Sequence, residues 1–147
     1  MAKQVVVLGS TGSIGKSTLD VCRNLGEEFE VTGLAAGSQW ELLAAQAREH
    51  SVPRVSIACP EAYAKLKAEL AGSGIEVLQG SEGACALVAE RCDSVLAAIS
   101  GAAGLPAVLE AARRGRRLCL SNKESLVLTG PILGKIAREN GCELVPV

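Results

Sequence analysis

The sequence predicts an α/β fold: a doubly wound parallel sheet of about seven strands with helices on both faces. Two observations predict it. The first is the run Val5-Val6-Val7-Leu8, followed by Gly9, Gly12 and Gly15 and then by a helical pattern. Four consecutive apolar residues suit a strand buried on both faces. The second is the alternation that continues to the end of the chain, strand-like runs separated by helix patterns of about ten residues. Such alternation means βαβ units with right-handed crossovers and a parallel sheet. A flavodoxin-like strand order is the topological rival. There is no internal repeat, flexible linker or low-complexity tract.

The elements follow in order. The first helix is expected over 13–25, with Ile14, Val21, Cys22 and Leu25 on its apolar face and Gly26 as its stop. The second strand covers 30–36. A helix over 40–49 carries Leu43 and Ala47 four residues apart, and a third strand covers 55–58. Pro60 opens a helix bearing Tyr63, Leu66 and Leu70. Residues 75–78 form the fourth strand, and Ser81 is the candidate N-cap of a helix reaching about Glu90. The fifth strand covers 94–99. Pro106 and Gly115 frame a helix with Leu105, Val108, Leu109 and Ala112 inside. The sixth strand covers 117–120. Pro131 opens the last helix, with Ile132, Leu133 and Ile136, closed by Asn140-Gly141. Residues 144–147 form the seventh strand.

Composition excludes several function classes. The 147 residues fit one domain, 1–147, large enough to bury roughly 70% of its unfolded surface. Fifteen basic and sixteen acidic residues are interspersed, for a net charge of −1. Without a basic patch, and with one Trp, one Tyr and one Phe, the chain offers nucleic acid nothing to bind or stack on. No apolar run reaches the roughly 20 residues of a membrane helix. Cys22, Cys59, Cys85, Cys92, Cys119 and Cys142 make no C-x-x-C pair, and His50 is the single histidine. They read as small hydrophobes rather than metal ligands. Met1-Ala2-Lys3-Gln4 leads directly into a strand with no signal peptide, so a reducing cytoplasm is expected.

Three stretches carry chemistry. In the glycine loop, Gly9 suits a tight turn, Gly12 a close backbone approach to a pyrophosphate, and Gly15 close packing of the new helix on the sheet. Free N–H groups and the helix dipole would face the phosphates. The spacing G-x-x-G-x-x-G is one residue longer than the usual dinucleotide pattern. Past the second strand the chain reads Leu34-Ala35-Ala36-Gly37-Ser38-Gln39, without the acid that holds the ribose of NAD. Its absence permits the 2′-phosphate of NADP, to which Ser38 and Gln39 can donate. No Lys or Arg stands there. The third stretch is Ser121-Asn122-Lys123-Glu124-Ser125-Leu126, at the carboxyl edge of the sixth strand. By pattern alone it is equally a solvated helix start. Ahead of it, Ala97-Ala98-Ile99-Ser100-Gly101-Ala102-Ala103-Gly104 leaves room for a nicotinamide ring or for close packing.

Together, Gly9-Ser10-Thr11-Gly12-Ser13-Ile14-Gly15, Gly101-Ala102-Ala103-Gly104-Leu105 and Asn122-Lys123-Glu124-Ser125-Leu126-Val127 closely resemble the 1-deoxy-D-xylulose 5-phosphate reductoisomerase family. The resemblance runs the length of the chain, and the Asn122 run is its most specific part. It implies a Rossmann-like NADPH-binding domain of an enzyme that needs a divalent metal, Mg²⁺ or Mn²⁺. That enzyme belongs to non-mevalonate isoprene biosynthesis. It isomerises a phosphosugar, then reduces it with hydride to 2-C-methyl-D-erythritol 4-phosphate. As a whole it is implied to be a cytoplasmic homodimer. The resemblance places Thr11, Gly12, Ser13 and Ile14 on the cofactor's pyrophosphate side. It places Gly37, Ser38 and Gln39 around the adenosine ribose and 2′-phosphate, Asn122 and Glu124 on the cofactor, and Lys123 toward substrate. Many members carry a basic residue where Ser38 stands. In the family an Asp-Ser-Glu metal-binding segment follows the strand matching Leu144-Val145-Pro146-Val147. This chain stops before it, so cofactor binding without turnover is expected. The alternatives are the cofactor domain of another NAD(P)-dependent oxidoreductase or epimerase, and a nucleotide-sensing module without catalysis.

Overall fold

The structure is a computed structural model that describes residues 2–121 and 130–147 fully and residues 123–129 as helical backbone. Seven parallel strands form one sheet in the order β4-β3-β2-β1-β5-β6-β7. They are β1 (Lys3–Leu8), β2 (Phe29–Ala36), β3 (Arg54–Ile57), β4 (Glu76–Gln79), β5 (Ser94–Ala97), β6 (Arg117–Leu120) and β7 (Leu144–Pro146). Helices α1 (Ser13–Asn24), α2 (Trp40–Glu49), α3 (Pro60–Glu69), α4 (Gly80–Ala89), α5 (Leu105–Arg113) and α6 (Lys123–Asn140) connect them, with a 3-10 turn at Ala102–Gly104. The chain builds outward from β1 to β4, returns to pair β5 with β1, and builds outward the other way. That order is doubly wound and excludes the flavodoxin-like rival.

The two directions of winding put helices on opposite faces. Val5 and Val7 pack with α1, α2 and α3, through Leu19, Leu43 and Leu66. Val6 and Leu8 pack with α4, α5 and α6, through Leu87, Val108 and Leu133. The strictly apolar run of β1 is thereby explained, because neither face of the central strand meets water.

Several expected details change. The buried face of α1 is Gly15, Leu19 and Cys22, while Ile14, Val21 and Leu25 are exposed. Leu25 is the C-cap of that helix, and Gly26 does not take up a left-handed conformation as its stop. Ser81 does not cap α4, which begins at Gly80 with Gln79 as N-cap. The far end of α4 is held instead by Arg116, whose guanidinium donates to the carbonyls of Val88, Ala89 and Glu90 at 3.3, 3.2 and 3.1 Å. Cations suit the carbonyl-rich end of a helix. β5 ends at Ala97, two residues early. Pro131 lies inside α6 rather than opening it. The helical run from Lys123 is a strong enough context to absorb a proline that, read alone, signals a start. Among the described residues, no helix is long and apolar enough to cross a membrane.

Candidate functional site

In a doubly wound sheet, ligands gather at the carboxyl edge where the winding reverses. Here that point lies between β1 and β5. The chain leaving β1 turns at Gly9, whose φ of +87° is a left-handed conformation. A Cβ there would also lie 2.5 Å from the carbonyl oxygen of Ala98, just past β5. Glycine is therefore required twice over, for conformation and for space. Gly15 is required for a different reason than packing on the sheet. A Cβ on Gly15 would meet the carbonyl oxygen of Gly9 at 2.2 Å and the Cα of Ser10 at 2.6 Å, so the helix's first turn is folded onto its own loop.

Gly12 is the N-cap of α1, with extended backbone (φ −81°, ψ 175°) and no side-chain cap. A Cβ on it would come no closer than 3.6 Å to the chain, at the carbonyl of Gly9. Nothing in the fold itself demands glycine there. The first turn has no side-chain cap, and a helix start of this kind, with its first N–H groups lacking partners within the helix, favours anions. Thr11 is half-buried, while Gly12, Ser13 and Ile14 are exposed at the same edge.

The segment after β2 lies alongside. Leu8 pairs with Ala35, so Gly37, Ser38 and Gln39 leave the sheet next to the glycine loop. All three are exposed. Gly37 faces open space, and its carbonyl accepts from Cys59 N–H at 2.9 Å. Gln39 is the N-cap of α2 without a side-chain bond to that helix. Between this segment and the chain beyond β5 is a cavity of about 270 Å³. Gly37, Ser56, Gly80, Ile99, Ser100 and Ala103 line it among others. The small residues past β5 thus share a cavity with Gly37. Asn122 lies outside the described residues, as do the side chains of Lys123 and Glu124, so the third predicted stretch is placed only by its neighbour. Ser121 is tied to the same edge, its N–H and hydroxyl both donating to Ala97 O at 3.1 and 3.0 Å.

Two residues that pattern reading passed over join the loop. Ser10 is fully buried, and Gln46 on α2 is nearly so. Gln46 Nε2 donates to Ser10 O at 2.9 Å. The available signal was a glutamine on the apolar side of a helix whose Leu43, Ala44 and Ala47 face inward. The cysteines meet the site only through the backbone, where Cys59 N–H donates to Gly37 O. All six are free, and burial pushes the thiols of Cys22, Cys85, Cys92, Cys119 and Cys142 up from their ordinary range. Among the described residues, no group of three His, Cys, Asp or Glu side chains is placed to hold a metal ion.

The family model described as 1-deoxy-D-xylulose 5-phosphate reductoisomerase matches residues 5–130. The chain belongs to this reductoisomerase family. A reductoisomerase of Rhizobium etli is 44% identical over 147 residues, covering 99% of this chain and 37% of the relative. The solved reductoisomerase of Zymomonas mobilis, in complex with NADPH, superposes with a TM-score of 0.95 at 40% identity, over 99% of this chain and 38% of that one. Another solved reductoisomerase, in complex with NADPH, fosmidomycin and magnesium, superposes with a TM-score of 0.93 at 37% identity, over 98% of this chain and 36% of its own. The chain therefore spans a little over a third of the length of these reductoisomerases.

Proposed function

We propose that this chain is the NADPH-binding domain of a 1-deoxy-D-xylulose 5-phosphate reductoisomerase. The observation that carries the reading is Gly12, a glycine that its own fold does not need, set at an uncapped helix start on the switch-point edge. A pyrophosphate approaching that backbone supplies the missing reason. Thr11, Gly12, Ser13 and Ile14 lie against it, and Ser13 and Ile14 donate from the first-turn amides. Gly37, Ser38 and Gln39 surround the adenosine ribose and its 2′-phosphate. The cavity that Gly37 shares with Ile99, Ser100 and Ala103 then belongs to the adenosine end, rather than to the nicotinamide ring. Asn122 and Glu124 take the cofactor and Lys123 the substrate, as the family resemblance assigns them.

NADPH, when bound, supplies the hydride for the reduction. The residues here bind and orient it. The whole protein is proposed to be a cytoplasmic homodimer that isomerises 1-deoxy-D-xylulose 5-phosphate and reduces it to 2-C-methyl-D-erythritol 4-phosphate. A divalent metal, Mg²⁺ or Mn²⁺, is proposed to be held outside this chain. The fold suits the task, since a parallel sheet with one open carboxyl edge presents a second domain with a single face on which to close.

Calorimetric titration tests the reading directly. The chain is expected to bind NADPH more tightly than NADH, and tighter binding of NADH would overturn the assignment of residues 37–39. Ser38 is exposed and uncharged, so it contributes a neutral hydrogen bond where a cation would contribute more. Ser38→Arg is expected to tighten NADPH binding by about 1–2 kcal/mol at low salt, and Ser38→Asp to erase the preference by like-charge repulsion. A Ser38→Asp protein that keeps the wild-type preference would place the 2′-phosphate elsewhere.

The chain by itself is expected to show no turnover. Reduction needs a polarised substrate oxygen and a closed, water-free site besides the hydride donor. The measurement is loss of NADPH absorbance with 1-deoxy-D-xylulose 5-phosphate and Mg²⁺ or Mn²⁺ present. Steady, metal-dependent oxidation of NADPH by the 147-residue protein would show that the catalytic groups lie within it.

A further inference from the structure

We propose that Gln46 is a positioning residue for the cofactor: its buried amide holds the carbonyl of Ser10 and so sets the direction of the first-turn amides of α1. The role rests on the reading of residues 9–15 as the pyrophosphate loop. Ser10 is gripped from three sides. The N–H groups of Gly9 and Ser10 both donate to Ala35 O at the end of β2, at 2.8 and 3.0 Å. Gln46 Nε2 donates to Ser10 O from α2, at 2.9 Å. The backbone of Gly15 closes over Gly9 and Ser10 with no room for a Cβ. Ser10, the residue that precedes Thr11 and Gly12, therefore has its N–H held by β2 and its carbonyl by α2.

The chemistry of Gln46 points to the loop rather than to general stability. A primary amide on the inward side of a helix is costly to bury unless it is bonded. A glutamine there for stability alone would use both ends of its amide. Here Nε2 is bonded, while neither Gln46 Oε1 nor Ser10 Oγ has a partner among the described residues. Leucine or methionine would fill the position between Leu43 and Ala47 at less cost. What the amide supplies, and a methionine cannot, is a donor aimed at one carbonyl of the loop. The N-cap of the same helix is Gln39, next to Gly37 and Ser38. Gln46 thus fixes the spacing between the segment at the adenosine end and the loop at the pyrophosphate. Such pre-organisation raises affinity by lowering the ordering cost of binding.

Gln46→Met keeps the volume and removes the donor. The measurements are melting temperature, amide hydrogen exchange, and titration with NADPH and with adenosine 2′-monophosphate, which lacks the pyrophosphate. The melting temperature is expected to stay within about 5 °C of wild type. Exchange at residues 9–15 is expected to quicken about tenfold with the sheet unchanged. NADPH binding is expected to weaken about tenfold, and adenosine 2′-monophosphate binding to hold within about twofold. Unchanged exchange at residues 9–15 would overturn the role whatever the cofactor. Equal weakening of both ligands would overturn it too, by showing a merely structural residue. A loosened loop in a chain whose wild type does not bind NADPH would overturn the cofactor reading, and the role in binding with it. Should Gln46→Met fail to fold, Gln46→Asn keeps the buried amide but withdraws it by one methylene, and the same pattern is expected.

Discussion

Gly12→Val is expected to abolish NADPH binding while the protein stays folded. The backbone at Gly12 is extended, with φ −81° and ψ 175°, a conformation that valine adopts readily. Its Cβ would find the nearest chain atom, Gly9 O, at 3.6 Å, which is ordinary contact. The melting temperature should therefore hold. The branched side chain would instead stand over the N–H groups that begin α1, where the pyrophosphate has to approach. An affinity loss of at least about 100-fold is expected, or about 2.7 kcal/mol. Calorimetry on the folded variant checks it. Undiminished affinity would mean that the phosphates do not approach over Gly12.

Gly15→Ala is expected to do the reverse, damaging the fold first. One added methyl group would stand 2.2 Å from Gly9 O and 2.6 Å from Ser10 Cα. Both are backbone atoms. Neither can rotate away, because Gly9 and Ser10 are tied to Ala35 and Ser10 to Gln46. The first turn of α1 would have to lift from the loop, and Leu19 and Cys22 would be drawn from the core behind it. Overpacking of this kind costs about 3 kcal/mol, and the melting temperature should fall by roughly 10 °C. Denaturant unfolding should show a lower midpoint with an unchanged slope. A Gly15→Ala protein as stable as wild type would show that the loop is looser than its hydrogen bonds make it. The two substitutions are three residues apart in one motif, and they separate the glycine that serves a ligand from the glycine that serves the chain.

Much of the candidate site was legible in the sequence because its signals are local. A glycine loop after an apolar strand, a missing acid after the next strand and a polar run after the sixth can each be read without knowing what lies opposite. Gln46 could not be read in that way. Its partner, Ser10, is 36 residues away, and a glutamine four residues from a leucine says nothing of the carbonyl it meets. The reason for Gly15 was likewise misassigned to sheet packing, since only the folded turn shows that its own loop fills the space.

By itself, the sequence determined the alternation of seven strands with helices, and so the parallel sheet. Hydrophobic periodicity, prolines at helix starts and glycines past helix ends are properties of a few neighbouring residues. Tertiary structure alone decided which apolar residues face inward in β2 and α1. In β2, the pairing with β1 slips between Val5 and Val6, so that Val31 stands opposite Val5 and Gly33 opposite Val6. Thr32 is the extra residue. The bulge reverses the alternation, and Val31 and Leu34, three residues apart, share one core face while Ala35 joins the other. A strict period of two would have put Val31 and Leu34 on opposite sides. In α1, Ile14, Val21, Cys22 and Leu25 read as the apolar face, yet of these only Cys22 is buried, together with Gly15 and Leu19. In that orientation the backbone of Gly15 lies against Gly9 and Ser10, a contact that a pattern of apolar side chains does not encode.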